Sequence, residues 1–190
     1  MAISLSKGEK ISLTKQAPGL NTILVGLGWD TNRYDGEADF DLDASVFVVK
    51  ENGKVGADRD FVFYGNLEHP SKCVMHTGDN RTGAGDGDDE QIFVDLGALP
   101  NEYDRIIFVV TIYQAQERKQ HFGLIENAFI RICDASNDTE FCKFNLSENY
   151  ENKTAMIVGE MIKDGGEWKF NALGQPTTDD GILEISKRFS

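Results

Sequence analysis

The chain reads as a succession of short apolar runs set apart by turn-forming residues. Runs rich in Val, Ile, Phe and Thr occupy 22–27 (TILVGL), 44–49 (ASVFVV), 60–65 (DFVFYG), 73–77 (CVMHT) and 91–96 (QIFVDL). Others occupy 105–113 (RIIFVVTIY), 128–134 (AFIRICD), 140–146 (EFCKFNL), 154–162 (TAMIVGEMI) and 167–173 (EWKFNAL). Each is bounded by Gly, Asn, Asp or Pro, which is the punctuation of strands. IKDGGEW, between the last two runs, is a tight-turn signature. Many short strands with little 3.6-residue periodicity predict an all-β fold, a β-sandwich or barrel. The runs at 105–113 and 154–162 are apolar at consecutive positions, so they are expected to lie centrally with both faces covered. Helix signals are few. GILEISKRF (181–189) places Ile182, Ile185 and Phe189 on one side of a terminal helix. Residues 116–128 have room for a turn or two. No linker, repeat or second domain is visible, so 1–190 is expected to form one domain.

Two stretches break this regularity. In DGEADFDLD (35–43), Asp35, Glu37, Asp39, Asp41 and Asp43 alternate with Gly36, Ala38, Phe40 and Leu42, and Ala44 continues the alternation. Alternate side chains of an extended chain share a face about 7 Å apart. Like charges at that spacing repel by about 2 kcal/mol at an effective dielectric of 20. The stretch reads as the entry to a strand with one apolar and one acidic face. Glu37 fits a solvated surface, whereas Asp39, Asp41 and Asp43 lead straight into the apolar run.

The second stretch is GDNRTGAGDGDDE (78–90). Its glycines let the backbone turn tightly and present carbonyls. Asp79, Asp86, Asp88, Asp89 and Glu90 supply hard oxygen donors. Ca²⁺ takes six to eight oxygens in a flexible geometry, whereas Mg²⁺ keeps its waters and zinc prefers Cys and His, which the stretch lacks. It is not an EF-hand. With Asp79 at position 1, Arg81 and Gly83 fall at positions 3 and 5, and Ala84 replaces the glycine at 6. A solvated acidic hairpin is the competing reading of this loop alone. Two such clusters in a small protein, gathered by loops at one end of a sandwich, weigh against it.

Charge sharpens the picture. The net charge is −13 over 190 residues, and the two stretches hold ten acids against one base, Arg81. That focus excludes a nucleic-acid partner, which needs a basic footprint, and favours a cation site. No apolar run is long enough to span a bilayer, and the first residues lack a signal peptide's apolar centre, so a cytoplasmic location is expected. The three cysteines, Cys73, Cys133 and Cys142, are expected to be reduced, although a hairpin about Asn137-Asp138 could set the last two opposite each other. His69 and His121 show no partner set, and Cys73 and His76 are expected on opposite faces of a strand. No G-x-S-x-G motif is present, and GAGDG lacks the Lys-Ser/Thr of a phosphate-binding loop. Trp29 and Trp168 read as core.

These residues together resemble the TerD family of tellurium-resistance and general stress proteins. The likeness runs through LSKGEKISLTK (5–15), LVGLGWD (24–30), DFDLDAS (39–45), GDNRTGAGDGDDE (78–90), FGLIENAFIRI (122–132) and GEWKFNALG (166–174). The resemblance implies a two-sheet β-sandwich like a C2 domain, with two Ca²⁺ ions in acidic loops at one end. It implies metal ligation by Asp39, Asp41, Asp43, Asp79, Asp86, Asp88, Asp89 and Glu90, with Asp30 of GWD as a further ligand or loop-orienting partner. It also implies a cytoplasmic, non-enzymatic stress role and association with other Ter-family proteins, near the membrane. Two departures stand out. IYQA (112–115) replaces the family's Ile-His-Asp-Ala, and GQPTTDDGIL (174–183) replaces a Gly-Tyr-x-Gly-Gly-Leu end.

Three functions compete on the residues alone: a calcium-binding interaction module, a metal-dependent hydrolase using the acidic loops, and a Ca²⁺-dependent membrane-surface protein. The expected lack of a histidine near the acids favours binding over catalysis. The lack of a basic or aromatic loop beside them ranks membrane binding last.

Overall fold

Strand alternation sets the architecture. The computed structural model of the protein describes residues 3–31, 38–85, 87–147 and 150–190. Its strands, in chain order, are β1 (Ile3–Ser4), β2 (Lys10–Ser12), β3 (Thr22–Gly28), β4 (Leu42–Val49), β5 (Phe61–Val62), β6 (Val74–His76) and β7 (Glu90–Asp95). They continue with β8 (Arg105–Ile112), β9 (Phe129–Asp134), β10 (Thr139–Asn145), β11 (Ala155–Asp164) and β12 (Glu167–Thr177). Two six-stranded sheets result, in the orders β1-β10-β9-β3-β7-β6 and β2-β12-β11-β8-β4-β5. All pairings are antiparallel except β1 with β10. The fold is a two-sheet β-sandwich.

Ile23, Val25 and Leu27 of β3, with Ile130 and Ile132 of β9, pack into one core with Val46 and Val48 of β4 and Phe108 and Val110 of β8. The second sheet buries its other face too. Phe47, Val49, Ile107 and Val109 meet Ile182, Ile185 and Phe189 in a separate cluster, with the Phe47 ring 4.2 Å from Phe61 and 4.4 Å from Phe189. Three short α-helices occur among the described residues: α1 (Leu13–Gln16), α2 (Ala115–Arg118) and α3 (Ile182–Ser186). The double burial explains the consecutive apolar positions of β8 and β11, which are central in their sheet as expected.

Three local differences from the sequence reading have physical causes. The strand expected over 60–65 stops at Val62, because Phe63 and Asn66 exchange both backbone hydrogen bonds and close a turn. The edge strands β1 and β2 carry no apolar run of their own and take their pairing from β10 and β12. Cys142 pairs with Ile132 and points into the core, while Cys133 pairs with Glu140 on the outer face. The two thiols therefore occupy opposite faces of the hairpin, and all three cysteines are free and buried.

Antiparallel register gathers the loops that matter. Leu42 pairs with Ile112 and Leu27 with Glu90, while β5 runs back along β4 from Val62 opposite Val46. The start of β4, the end of β3, Tyr64, the 77–89 loop and the segment after Ile112 all reach the same end of the sandwich.

Candidate metal site

The alternation predicted for the first acidic stretch begins at Phe40. Phe40, Leu42 and Ala44 enter the core, and Asp41 and Asp43 face the other way. Neither acid is solvated, since each is only 3 % exposed. Ala38 and Asp39, before the strand, are exposed, so the buried apolar face does not extend back to Ala38. Asp35 and Glu37 lie outside the described residues, as does Asp86 of the second stretch. Asp41 and Asp43 line a cavity of about 260 Å³ together with Asp79, Arg81, Tyr64 and Tyr113. One carboxylate oxygen from each of Asp41, Asp43 and Asp79 lies within 4.8 Å of the other two.

The electrostatics of this cavity are unbalanced. Burial, the nearby Asp79 charge and Glu90 push the Asp41 carboxyl up to about 6, against the opposing pull of Arg118 and Arg81. Burial, then the Glu90, Asp41 and Asp79 charges, push Asp43 up to about 9. Arg118 Nη1 approaches Asp41 Oδ2 at 3.6 Å, but Asp41 Oδ1 is buried with no hydrogen-bond partner among the described residues. An orphaned buried acceptor costs roughly 1–3 kcal/mol. Ligand oxygens 2.3–2.6 Å from a calcium ion are at most about 5 Å apart. The spacing and the orphaned oxygen therefore fit a single hard cation.

The remaining acids of the second stretch are engaged otherwise. Asp88 sits on the outer face of β3 directly over Gly26, where a Cβ would lie 2.2 Å from its Cγ, so only glycine admits it. Its carboxylate, 1 % exposed, takes a bidentate pair from Arg131 at 2.7 and 2.9 Å. Asp89 accepts from the Trp29 amide at 2.9 Å and from Asn80 Nδ2 at 3.0 Å. Burial raises its pKa against that amide bond, with Asp88 and Asp30 adding to the rise. Glu90, facing inward, accepts from the Ala44 amide at 2.7 Å and the Asn80 amide at 3.3 Å. Asp30 accepts from Asn127 Nδ2 at 2.8 Å. Asp39 is exposed, and its carbonyl accepts from Gln120 Nε2 at 3.2 Å. Of the acids singled out in the sequence, the structure brings Asp41, Asp43 and Asp79 to one point and ties Asp88, Asp89 and Glu90 into the protein. Gly83 closes the loop at φ +65°, with the Trp29 indole so near that a Cβ would stand 2.4 Å from Nε1. Trp29 is indeed core, its Nε1 donating to Phe40 O at 3.0 Å.

Two histidine expectations are corrected. A histidine does stand beside the acids: His76 Nε2 is 3.5 Å from Glu90 Oε2. Gly78 N donates to His76 Nδ1 at 3.0 Å, so Nε2 carries the proton and donates to Ala44 O at 3.1 Å. The signal was present in the strand alternation. His76 continues the inward row of Val74, and Glu90 that of Ile92 and Val94, so two polar residues meet inside adjacent strands. His69 also has partners, with Ser71 Oγ 2.8 Å from Nδ1, Cys73 Sγ at 3.5 Å and Asp60 Oδ1 3.3 Å from Nε2. Ser71 and Cys73 lie close to it in sequence, whereas Asp60 is brought to it by the turn before β5. This group lies toward the opposite end of β4, where Phe61 pairs with Phe47.

Comparison with known proteins agrees with this architecture. The TerD domain pattern matches residues 1–189. A tellurium resistance protein TerD of Serratia marcescens is 54 % identical over 175 residues, 92 % of this chain and 91 % of that protein. General stress protein 16U of Bacillus subtilis is 51 % identical over 174 residues, covering 92 % of this chain and 90 % of the other. The crystal structure of a Streptomyces coelicolor homologue of a telluride resistance protein superposes with a TM-score of 0.73 at 22 % identity, covering 90 % of this chain and 99 % of that one. With the pattern spanning nearly every residue and close relatives of this name on both sides, the chain belongs to the TerD domain family of tellurium-resistance and general stress proteins.

Proposed function

We propose that this protein binds Ca²⁺ at Asp41, Asp43 and Asp79 and serves the stress response as a non-catalytic interaction module in the cytoplasm. The observation that carries the reading is the orphaned, buried Asp41 Oδ1 inside a three-carboxylate cluster. A bound cation would supply the missing partner and offset the mutual repulsion of acids held in a low-dielectric setting. Calcium is preferred over Mg²⁺ because the cluster is an all-oxygen pocket furnished by the protein itself. A second ion, implied by the family resemblance, is assigned among the described residues to Asp30 and Asp89, whose charges act on each other, since both Asp88 oxygens are already held by Arg131. The site is read as one for binding rather than hydrolysis because His76, the base beside it, has both ring nitrogens engaged and a side chain sealed from solvent. Other Ter-family proteins are the proposed partners, with any membrane association peripheral.

The test is calorimetry on chelator-stripped protein, with elemental analysis of the protein as purified. Calcium should bind with a dissociation constant of about 10⁻⁷ to 10⁻⁵ M and magnesium more weakly. No calcium heat, together with no calcium in the purified protein, overturns the proposal.

A further inference from the structure

The walls of the acidic cavity carry a second chemistry. Opposite the three carboxylates stand Arg81, Tyr64 and Tyr113. Arg81 is the one base of the 78–90 stretch. It is exposed, and among the described residues its guanidinium makes no hydrogen bond and no ion pair. The hydroxyls of Tyr64 and Tyr113, both half-buried at the cavity, likewise have no hydrogen-bond partner there. Three donors thus border a pocket full of acceptors without bonding to them. A guanidinium serving only as counter-charge would pair with a carboxylate, as Arg118 does with Asp41 at 3.6 Å while lying 5.0 Å from the Tyr113 ring centre.

Charge explains what such donors await. Counted as formal charges, Asp41, Asp43, Asp79 and the adjoining Glu90 against Arg81 and Arg118 sum to two negative charges, which repel anions. A divalent cation on the carboxylates cancels that sum, so the donors no longer sit in a net negative field. Guanidinium and phenol donors match the oxygens of a phosphate group. Resting on the calcium reading above, we infer that Arg81, Tyr64 and Tyr113 form a binding wall for a phosphate-type oxyanion, admitted only when the carboxylates hold a cation. The oxyanion is either a free phosphate ester or the headgroup of an anionic lipid. Cation and oxyanion then bind with positive, reciprocal coupling.

The experiment is a calcium titration of chelator-stripped protein, with and without millimolar methyl phosphate at matched ionic strength. For the natural protein, methyl phosphate should tighten calcium binding at least fivefold, the low end of ordinary coupling. Arg81→Gln should bind calcium alone as well or more tightly, because a like charge is gone, yet lose the methyl phosphate effect. Tyr64→Phe and Tyr113→Phe should each reduce that effect. Opposite signs for calcium alone and for coupling would not follow from a merely structural arginine. A natural protein that binds calcium with no response to methyl phosphate overturns the inference and leaves the cation site standing, as does Arg81→Gln with full coupling. Absence of calcium binding under every condition overturns both. Vesicles separate the sources. Calcium-dependent sedimentation with phosphatidic acid but not phosphatidylcholine vesicles supports the headgroup, and coupling to methyl phosphate without sedimentation supports the soluble ester.

Discussion

Two groups of carboxylates at the same end of the sandwich, alike in chemistry and partly from one loop, have opposite surroundings. Asp88, Asp89 and Glu90 are satisfied: a guanidinium, the Trp29, Ala44 and Asn80 amides and the Asn80 side chain take up their oxygens. Asp41, Asp43 and Asp79 crowd together around a buried oxygen that has no hydrogen-bond partner among the described residues. Proximity in sequence therefore does not assign role. An acid whose acceptor capacity is met by the protein holds the loop, and an acid whose capacity is unmet is left for something from outside. The satisfied group also builds the other. Glu90 pins Ala44 beside Asp43 and Asn80 beside Asp79, so the anchor fixes the spacing of the cluster.

The largest effect should come from breaking the anchor. Arg131→Met leaves the buried Asp88 carboxylate without its charge partner, with only Gln91 Nε2 still donating at 3.2 Å, and loss of one partner of a buried pair costs roughly 3 kcal/mol or more. Urea unfolding should show it, and a loss below about 1 kcal/mol would mean that the pair is not what seats the loop.

The next effect belongs to the cluster and has the reverse character. Asp43→Asn should weaken calcium binding tenfold or more, about 1.4 kcal/mol, and leave the metal-free protein as stable or more so, because the cost of holding that carboxyl in the crowded cavity, seen in its raised pKa, is gone. A destabilised apo variant with normal affinity would erase the distinction between the groups.

The pH dependence of the metal-free protein follows from the same crowding. The folded-state pKa values of Asp41, about 6, and Asp43, about 9, lie above the ordinary 3.8. Between 3.8 and those values the folded state holds more protons than the unfolded one, so stability falls as pH rises. From these two groups, metal-free stability should decline from about pH 4 upward, through about 6 for Asp41 and about 9 for Asp43. Asp43→Asn should flatten the upper part of the decline, and calcium should oppose it. Thermal melts across that range, with and without chelator, read out both.

The smallest effect is expected at Asp39, exposed and outside the strand. Asp39→Asn should change calcium affinity less than about threefold, as screening by salt weakens an exposed charge. A tenfold loss there would place Asp39 among the ligands.

How much of this could be read along the chain depends on how far apart the interacting residues lie. The apolar rows of β3, β4, β7 and β8 follow from period-two patterning, and the double-sided burial of β8 and β11 from their unbroken apolar runs. The acidic face at 41 and 43 is written in the same alternation, and the glycines of 78–90 announce a tight loop. The division of labour is not local. Asp88 meets Arg131 43 residues away, and only because Gly26 pairs with Arg131 and lacks the Cβ that would exclude the carboxylate. Glu90 bonds Ala44 from 46 residues away. Such pairings are properties of register, which a single chain encodes only collectively.

The account turns on which oxygens hold the ion. Anomalous diffraction from crystals of the calcium-loaded protein locates it directly. The account predicts a calcium peak about 2.3–2.6 Å from carboxylate oxygens of Asp41, Asp43 and Asp79, with the Asp88–Arg131 pair intact. A peak held instead by Asp88, Asp89 and Glu90, with the three-carboxylate cavity bare at saturating calcium, would contradict it.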